Sequence, residues 1–349
     1  MGLTVPEVLT RLLAGDDLSL EEAQAAIASV LAGDATPGQI GGLLIALRAK
    51  DVTADELTGM VRALLDAAVP LTIDGDAIDT CGTGGSTHRQ EAAFHVSTAA
   101  ALVVAGAGVK VCKHGNRRAS ATSGSADLLE ALGAAVDLGP DGVARCVAEA
   151  GIGFCLAPRF HPGMRHPGPV RRELGVRTVF NFLGPLANPA RVRRQVVGVA
   201  DGSMAEKLIG VLKANGSTRA MVVYGHDGLD ELTTATTSTI VELFDGEVRS
   251  YDVDPAELGL TRVDAAPPGG DTATNVDLAR RVLGGEPGPH RDIVLLNAAA
   301  ALVVAGKVTD IAAGLEAAAQ AIDGGQAASA LDALVRVSQQ AKSEEPAAP

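Results

Sequence analysis

The chain has no tryptophan and few aromatic residues of any kind: two tyrosines and six phenylalanines make up 2% of 349 residues. A core without large rings must be assembled from Ala, Val, Leu and Ile, which suits helices packed on a parallel sheet. Positive charge is also scarce. The net charge of −13 excludes general affinity for nucleic acid, which needs a basic surface. It also opposes a polyanionic substrate unless cations are concentrated locally or a divalent metal is recruited. Cysteine is limited to Cys81, Cys112, Cys146 and Cys155, without metal-ligand spacing and beside apolar runs. Such residues are read as small buried hydrophobes of a reduced, intracellular protein. Long apolar runs are missing too, since 99–108 is too short to cross a bilayer. Residues 1–13 carry no basic start and are soon followed by Asp16, Asp17, Glu21 and Glu22, unlike a signal peptide. A cytoplasmic protein with no membrane partner is expected.

What is present divides the chain. Residues 1–70 read as four short helices, with Ser19 and Glu22, Thr36 and Gln39, and Thr53 and Glu56 spaced as capping boxes. Ile40, Leu43, Leu44 and Leu47 form an apolar stripe on the third. Four small helices bury little by themselves, so they are expected to dock on the rest of the chain or on a second copy, making a homodimer. From residue 75 to 340 the pattern is α/β with a mostly parallel central sheet. Strands are expected at 77–81, 109–112, 153–157, 195–199, 219–224 and 239–244, and Asp245 with Gly246 should turn the chain into an edge strand at 247–253. Helices are expected at 97–107, 125–132, 142–150, 203–215, 275–283, 291–305, 310–322 and 327–340. Residues 341–349 read as a flexible tail.

Four clusters carry chemistry. The run DTCGTGG at 79–85 is a glycine-rich turn after a strand, and Ser97 and Thr98 open the next helix. Freed amide groups and a helix N-terminus suit phosphate oxygens. The run KHGNR at 113–117 reads as a cationic loop that an anion would compensate, extended by the hydroxyls of Ser120, Ser123 and Ser125. Leu128, Leu129 and Leu132 behind it read as core. Residues 159–194 hold eight arginines and one acid, Glu173, a local positive field in an acidic chain. Arg171 is the candidate carboxylate clamp. Finally, Asp230 and Glu231 follow a strand as adjacent hard-oxygen ligands, suited to Mg²⁺ shared with substrate phosphates.

In these motifs, together with 123–133, 154–172, 181–188 and 225–233, the chain resembles the anthranilate phosphoribosyltransferase family of tryptophan biosynthesis, from about residue 5 to about 338. The resemblance implies a small helical domain that dimerises and a larger α/β domain. It implies Mg²⁺-dependent transfer of the phosphoribosyl group of 5-phosphoribosyl 1-diphosphate (PRPP) to the amine of anthranilate. By motif, Gly82, Gly85, His95, Ser97, Thr98, Lys113, Asn116, Arg117, Ser120 and Ser125 fall to the diphosphate substrate. Ser97, Asp230 and Glu231 fall to the metal. Gly82, His114, Asn116, Ala157, Pro158, His161 and Arg171 line the anthranilate path, and Lys113, Asn116 and Arg171 take the catalytic roles. No strong base stands out, which fits stabilisation of departing pyrophosphate while positive charge grows at the anomeric carbon.

One stretch departs from the family pattern. The bridge 86–96 is a few residues longer than usual, with Ser86 at an aspartate position and His95 at an asparagine position; Glu91, His88 or Arg89 could supply the missing contacts. Three alternatives stay open beside the main reading: a paralogue using another aromatic amine, a pyrimidine nucleoside phosphorylase-like enzyme, and a non-catalytic nucleic-acid-binding relative.

Overall fold

The structure, a computed structural model, describes residues 3–84, 86, 93–117 and 124–345. Four helices open it: α1 (Val5–Leu13), α2 (Leu20–Ala32), α3 (Pro37–Lys50) and α4 (Ala54–Asp66). The three expected capping boxes form, and Thr4 with Glu7 makes a fourth that the sequence reading passed over. Glu56 does more than cap. Fully buried, it also accepts from the Leu18 amide at 3.0 Å and the Lys50 ammonium at 3.0 Å, tying three helices together.

The rest alternates: β1 (Ile78–Gly82), α5 (Val96–Gly106), β2 (Val111–Gly115), α6 (Ser125–Ala131), α7 (Pro140–Ala150), β3 (Ile152–Leu156), α8 (Ala157–Phe160), α9 (Pro167–Leu174), α10 (Phe180–Leu186), β4 (Arg194–Gly198), α11 (Ala205–Ala214), β5 (Arg219–Gly225), β6 (Ser238–Phe244) and β7 (Glu247–Val253). Four helices close it: α12 (Thr272–Leu283), α13 (Pro289–Val304), α14 (Ile311–Asp323) and α15 (Gln326–Glu344). The seven strands run in the order β3-β2-β1-β4-β5-β6-β7, parallel through β5 and antiparallel after it. Asp245 and Gly246 both take positive φ, as a two-residue hairpin with right-handed strand twist requires.

Strand order reverses beside β1: β2 and β3 extend to one side and β4 returns on the other. Ligands of open α/β sheets bind at such a switch, beyond the carboxyl ends of the strands. Here the two ends meet as a glycine pair, Gly82 opposite Gly198.

One sheet face is covered by a core that includes Val103, Leu128, Leu296 and Leu334. The other face, with Val197 and Val222, shares a continuous core with Ile27, Leu44 and Leu57 of the first four helices. The helical segment thus docks on its own chain, the first of the two options its small size left open.

Three expectations need correction. The cationic loop after the second strand is partly strand, because β2 continues through Lys113 and His114 to Gly115, with both side chains buried. Helices α8, α9 and α10 were not anticipated in the Pro-, Gly- and Arg-rich stretch between β3 and β4. The expected tail from 341 is helical through Glu344, and Glu345 accepts from the Gly139 amide at 2.6 Å; residues 346–349 lie outside the described residues.

Candidate active site

The site grows from the switch point. A Cβ at Gly82 would stand 2.5 Å from Asp230 Oδ2, and one at Gly198 would collide with the Asp230 carbonyl. Only paired glycines let the 226–231 loop lie across both strand ends. The Gly84 amide, at φ +66°, donates to Asp230 Oδ2 at 2.8 Å, fixing the glycine turn to that loop. Ser97, in the first turn of α5, faces the same point: Thr80, Cys81, Ser97, Asp230 and Glu231 border one small cavity of about 10 Å³, room for about one water. Two carboxylates and a hydroxyl beside it are hard oxygen donors of the kind Mg²⁺ takes, leaving further positions for substrate oxygens.

Lys113 comes in from β2. It is 2% exposed, and its ammonium donates to the Thr80 carbonyl and, at 3.3 Å, to Ser97 Oγ. Behind it lies Asp79, fully buried, accepting from the His114 amide at 3.2 Å and from Asn188 Nδ2 at 2.8 Å. Burial raises the Asp79 pKa, opposed by the nearby Lys113 charge and by these hydrogen bonds. Asn188 also donates to the Cys112 carbonyl at 2.8 Å, so it ties β1 and β2 together beneath the cationic group. Asp79 and Asn188 were not singled out from sequence; both stand inside quoted motifs, but a buried structural carboxylate has no spacing signature. The four cysteines are free thiols.

A second wall begins one residue further along β2. His114 Nδ1 meets the Gly184 carbonyl of α10 at 3.0 Å, and its ring lies 5.1 Å from that of His161. Burial, with His161 and Lys113 adding to it against the Gly184 carbonyl, pushes His114 down to about 3. Burial lowers His161 as well, opposed by the Ala187 and Leu64 carbonyls. Both rings are neutral at physiological pH, and among the described residues the buried His114 Nε2 has no hydrogen-bond partner. Ala157 and Pro158 begin α8 at the end of β3, with the Ala157 carbonyl accepting from the His161 amide at 2.9 Å. Arg171, on α9, lies 5.4 Å over the Phe180 ring of α10, the helix that contacts His114. Among the described residues no carboxylate pairs with Arg171, and burial lowers its pKa. Its charge is available to a ligand.

The remaining candidates divide. Ser125 packs over Gly115, where a Cβ would come 2.5 Å from its hydroxyl, and donates to the Asn116 carbonyl at 3.4 Å. Thr98 is buried, with no partner for its hydroxyl among the described residues. His95 precedes α5 as its N-cap residue without capping through its side chain. Arg117 departs from the expectation of a loop awaiting an anion: its guanidinium is engaged by both oxygens of Glu130 and, at 3.5 Å, by Asp127. Gly85, Ser120, Ser123, His88, Arg89 and Glu91 lie outside the described residues; Ser86 is buried.

Comparison with known proteins covers both the helical segment and the sheet domain. The glycosyl transferase family helical bundle domain matches residues 6–68, and the glycosyl transferase family a/b domain matches residues 74–328. The anthranilate phosphoribosyltransferase of Salinispora arenicola is 50% identical over 344 residues, covering 96% of this chain and 96% of that protein. That of Roseiflexus castenholzii is 47% identical over 339 residues, covering 96% and 99%. Among solved structures, anthranilate phosphoribosyltransferase (TrpD) from Thermus thermophilus superposes with a TM-score of 0.89 at 40% identity, over 95% of this chain and 99% of that one. The Saccharomyces cerevisiae enzyme in complex with PRPP and Mg gives 0.86 at 25% identity, over 96% and 98%.

Proposed function

The chain belongs to the glycosyl transferase family through both its helical bundle and its a/b domain, and from that premise we propose the crevice between β1 and β4 as its phosphoribosyl-transfer site. The enzyme is an anthranilate phosphoribosyltransferase of tryptophan biosynthesis, moving the phosphoribosyl group of PRPP to the anthranilate amine and releasing pyrophosphate. The observation that carries the site assignment is the meeting of Ser97, Lys113, Asp230 and Glu231 at one switch point.

The division of labour follows from chemistry. Ser97, Asp230 and Glu231 would hold Mg²⁺, which would supply charge neutralisation for the pyrophosphate leaving group. Lys113 donates to the diphosphate oxygens, with Gly82, Gly85, Thr98, Asn116, Ser120 and Ser125 completing the cradle and His95 at its rim. Arg171 takes the anthranilate carboxylate, its planar guanidinium suited to both oxygens. The neutral rings of His114 and His161, with Ala157 and Pro158, form a path wall that adds no charge beside the aryl amine. Positioning supplies much of the rate, because an aryl amine needs little activation against an electrophilic anomeric carbon. Arg117, already held by Glu130, reaches substrate only by exchanging partners.

The same reading makes the enzyme a cytoplasmic homodimer. A phosphorylated sugar is confined by the cost of moving charge through a bilayer. Leu13, 79% exposed, and Ile45, 41% exposed, are large apolar side chains left uncovered on the adjoining helices α1 and α3, and the two-fold contact is assigned to them.

The test is anthranilate consumption, followed by its fluorescence, with PRPP and Mg²⁺. Asp230→Asn with Glu231→Gln is expected to abolish turnover or raise the Mg²⁺ requirement at least tenfold; ordinary Mg²⁺ dependence in that variant would remove the pair from the metal site. Turnover of a substituted aminobenzoate in preference to anthranilate would reassign the acceptor.

A further inference from the structure

A second cavity, of about 380 Å³, opens where the C-terminal end of α3 meets the segment before α10 and the loop after β4. That volume is within the range of small-molecule sites. Its apolar walls come from Leu47, Val179, Phe182 and Met204. Two guanidiniums also face it, Arg48 and Arg177, and neither has an ion-pair partner among the described residues. Arg48 donates to the backbone carbonyl of Arg177 rather than to an acid. Arg177 is attracted by Asp230 and Asp201 without a contact ion pair to either, is repelled by Arg48, and lies 5.8 Å over the Phe182 ring.

The acids on the same wall are already engaged. Asp51 pairs with Lys207 at 2.8 Å, and Asp201 accepts from the Ser203 amide at 3.0 Å and its hydroxyl at 2.6 Å. Thr178, 2% exposed, has a hydroxyl with no partner among the described residues. An apolar chamber edged by two guanidiniums in no direct ion pair and by a buried hydroxyl suits one compact anion attached to an apolar body. A phosphate dianion would leave the apolar walls uncovered, and its second charge would double the repulsion from Asp51 and Asp201 that any anion meets there.

We propose that this cavity binds a small amphipathic carboxylate, its ring or alkyl body against Phe182 and Met204 and its carboxylate on Arg48, Arg177 and Thr178. The site is separate from the Arg171 clamp and spans the helical segment and the sheet domain, so its occupant links the two. It stands whether or not the transferase assignment does.

Methionine methyl NMR with benzoate as probe tests it, because Met204 lines the cavity while Met60 and Met221 are buried elsewhere and report folding. Benzoate is expected to shift the Met204 methyl saturably in the wild type and equally in Arg171→Ala. In Arg48→Ala with Arg177→Ala, binding should weaken at least tenfold while the Met60 and Met221 signals hold their positions. A Met204 methyl that ignores benzoate, or responds alike in the double variant or to neutral benzamide, overturns the proposal. Anthranilate turnover is read separately, so loss of one result does not obscure the other.

Discussion

At the scale of single residues, the molecule keeps its functional charges dry. Lys113 sits on a strand, its ammonium held by a backbone carbonyl and a serine, so a diphosphate bound as proposed would meet a donor that is already aimed and largely desolvated. Lys113→Ala should reduce kcat/KM for PRPP by roughly 100-fold or more. It should also destabilise the fold by about 1–3 kcal/mol by leaving buried acceptors unpaired; steady-state kinetics and urea unfolding check both. Arg171→Ala is expected to raise the KM for anthranilate by roughly 10-fold or more while leaving kcat less affected, the mark of lost ground-state binding. His114 makes a pH prediction. Its folded pKa of about 3 lies below the ordinary 6.5, so the unfolded chain binds the extra proton between those values. The stability due to its neutral burial is therefore complete above pH 6.5 and lost as pH falls toward 3. Histidine NMR should show a His114 ring that does not titrate between about pH 8 and 5, and His114→Gln should lessen acid destabilisation in that window.

At the scale of elements, legibility followed the physics of each signal. Capping boxes are local, so Ser19, Thr36 and Thr53 could be read directly as helix starts. The ends of strands were harder. Lys113 and His114 look like loop residues by polarity, and only the tertiary arrangement, with Asp79, Thr80 and Gly184 supplying partners, makes burying them tolerable. Helices α8, α9 and α10 escaped notice because each is short and the stretch is dense in Pro and Gly, although Pro at a first turn is as good a helix start as a break. The glycine pair Gly82 and Gly198 could be half anticipated: Gly82 belongs to a visible phosphate turn, whereas Gly198 is required by the Asp230 backbone lying on it, a contact between distant segments. Gly198→Ala should displace the 226–231 loop, abolishing turnover with a stability loss of about 1–3 kcal/mol; thermal unfolding beside the anthranilate assay measures both.

At the scale of the whole molecule, the site draws on nearly every layer, from α5 and the parallel strands to the loop after β5. The α/β alternation, and hence the crevice at the carboxyl ends of the strands, was visible in the sequence; the reversal of strand order was not, because pairing between distant segments leaves no periodicity. For the proposed homodimer, the wild type is expected to sediment as a dimer and Leu13→Glu with Ile45→Glu as a folded monomer in sedimentation equilibrium; a monomeric wild type would overturn the dimer, and an unaltered mass in the variant would move the interface elsewhere. The shared core beneath β4 and β5 reaches beyond packing. Cutting the chain near residue 70 would part α4 from α10 and α11 and α3 from α9, dividing a core that runs from Ile27, Leu44 and Leu57 to Leu183 and Leu208, so two adhesive fragments would result instead of two modules. Fusions and truncations of this enzyme should treat the bundle and the sheet as a single unit of cooperative folding, however cleanly the sequence divides between them.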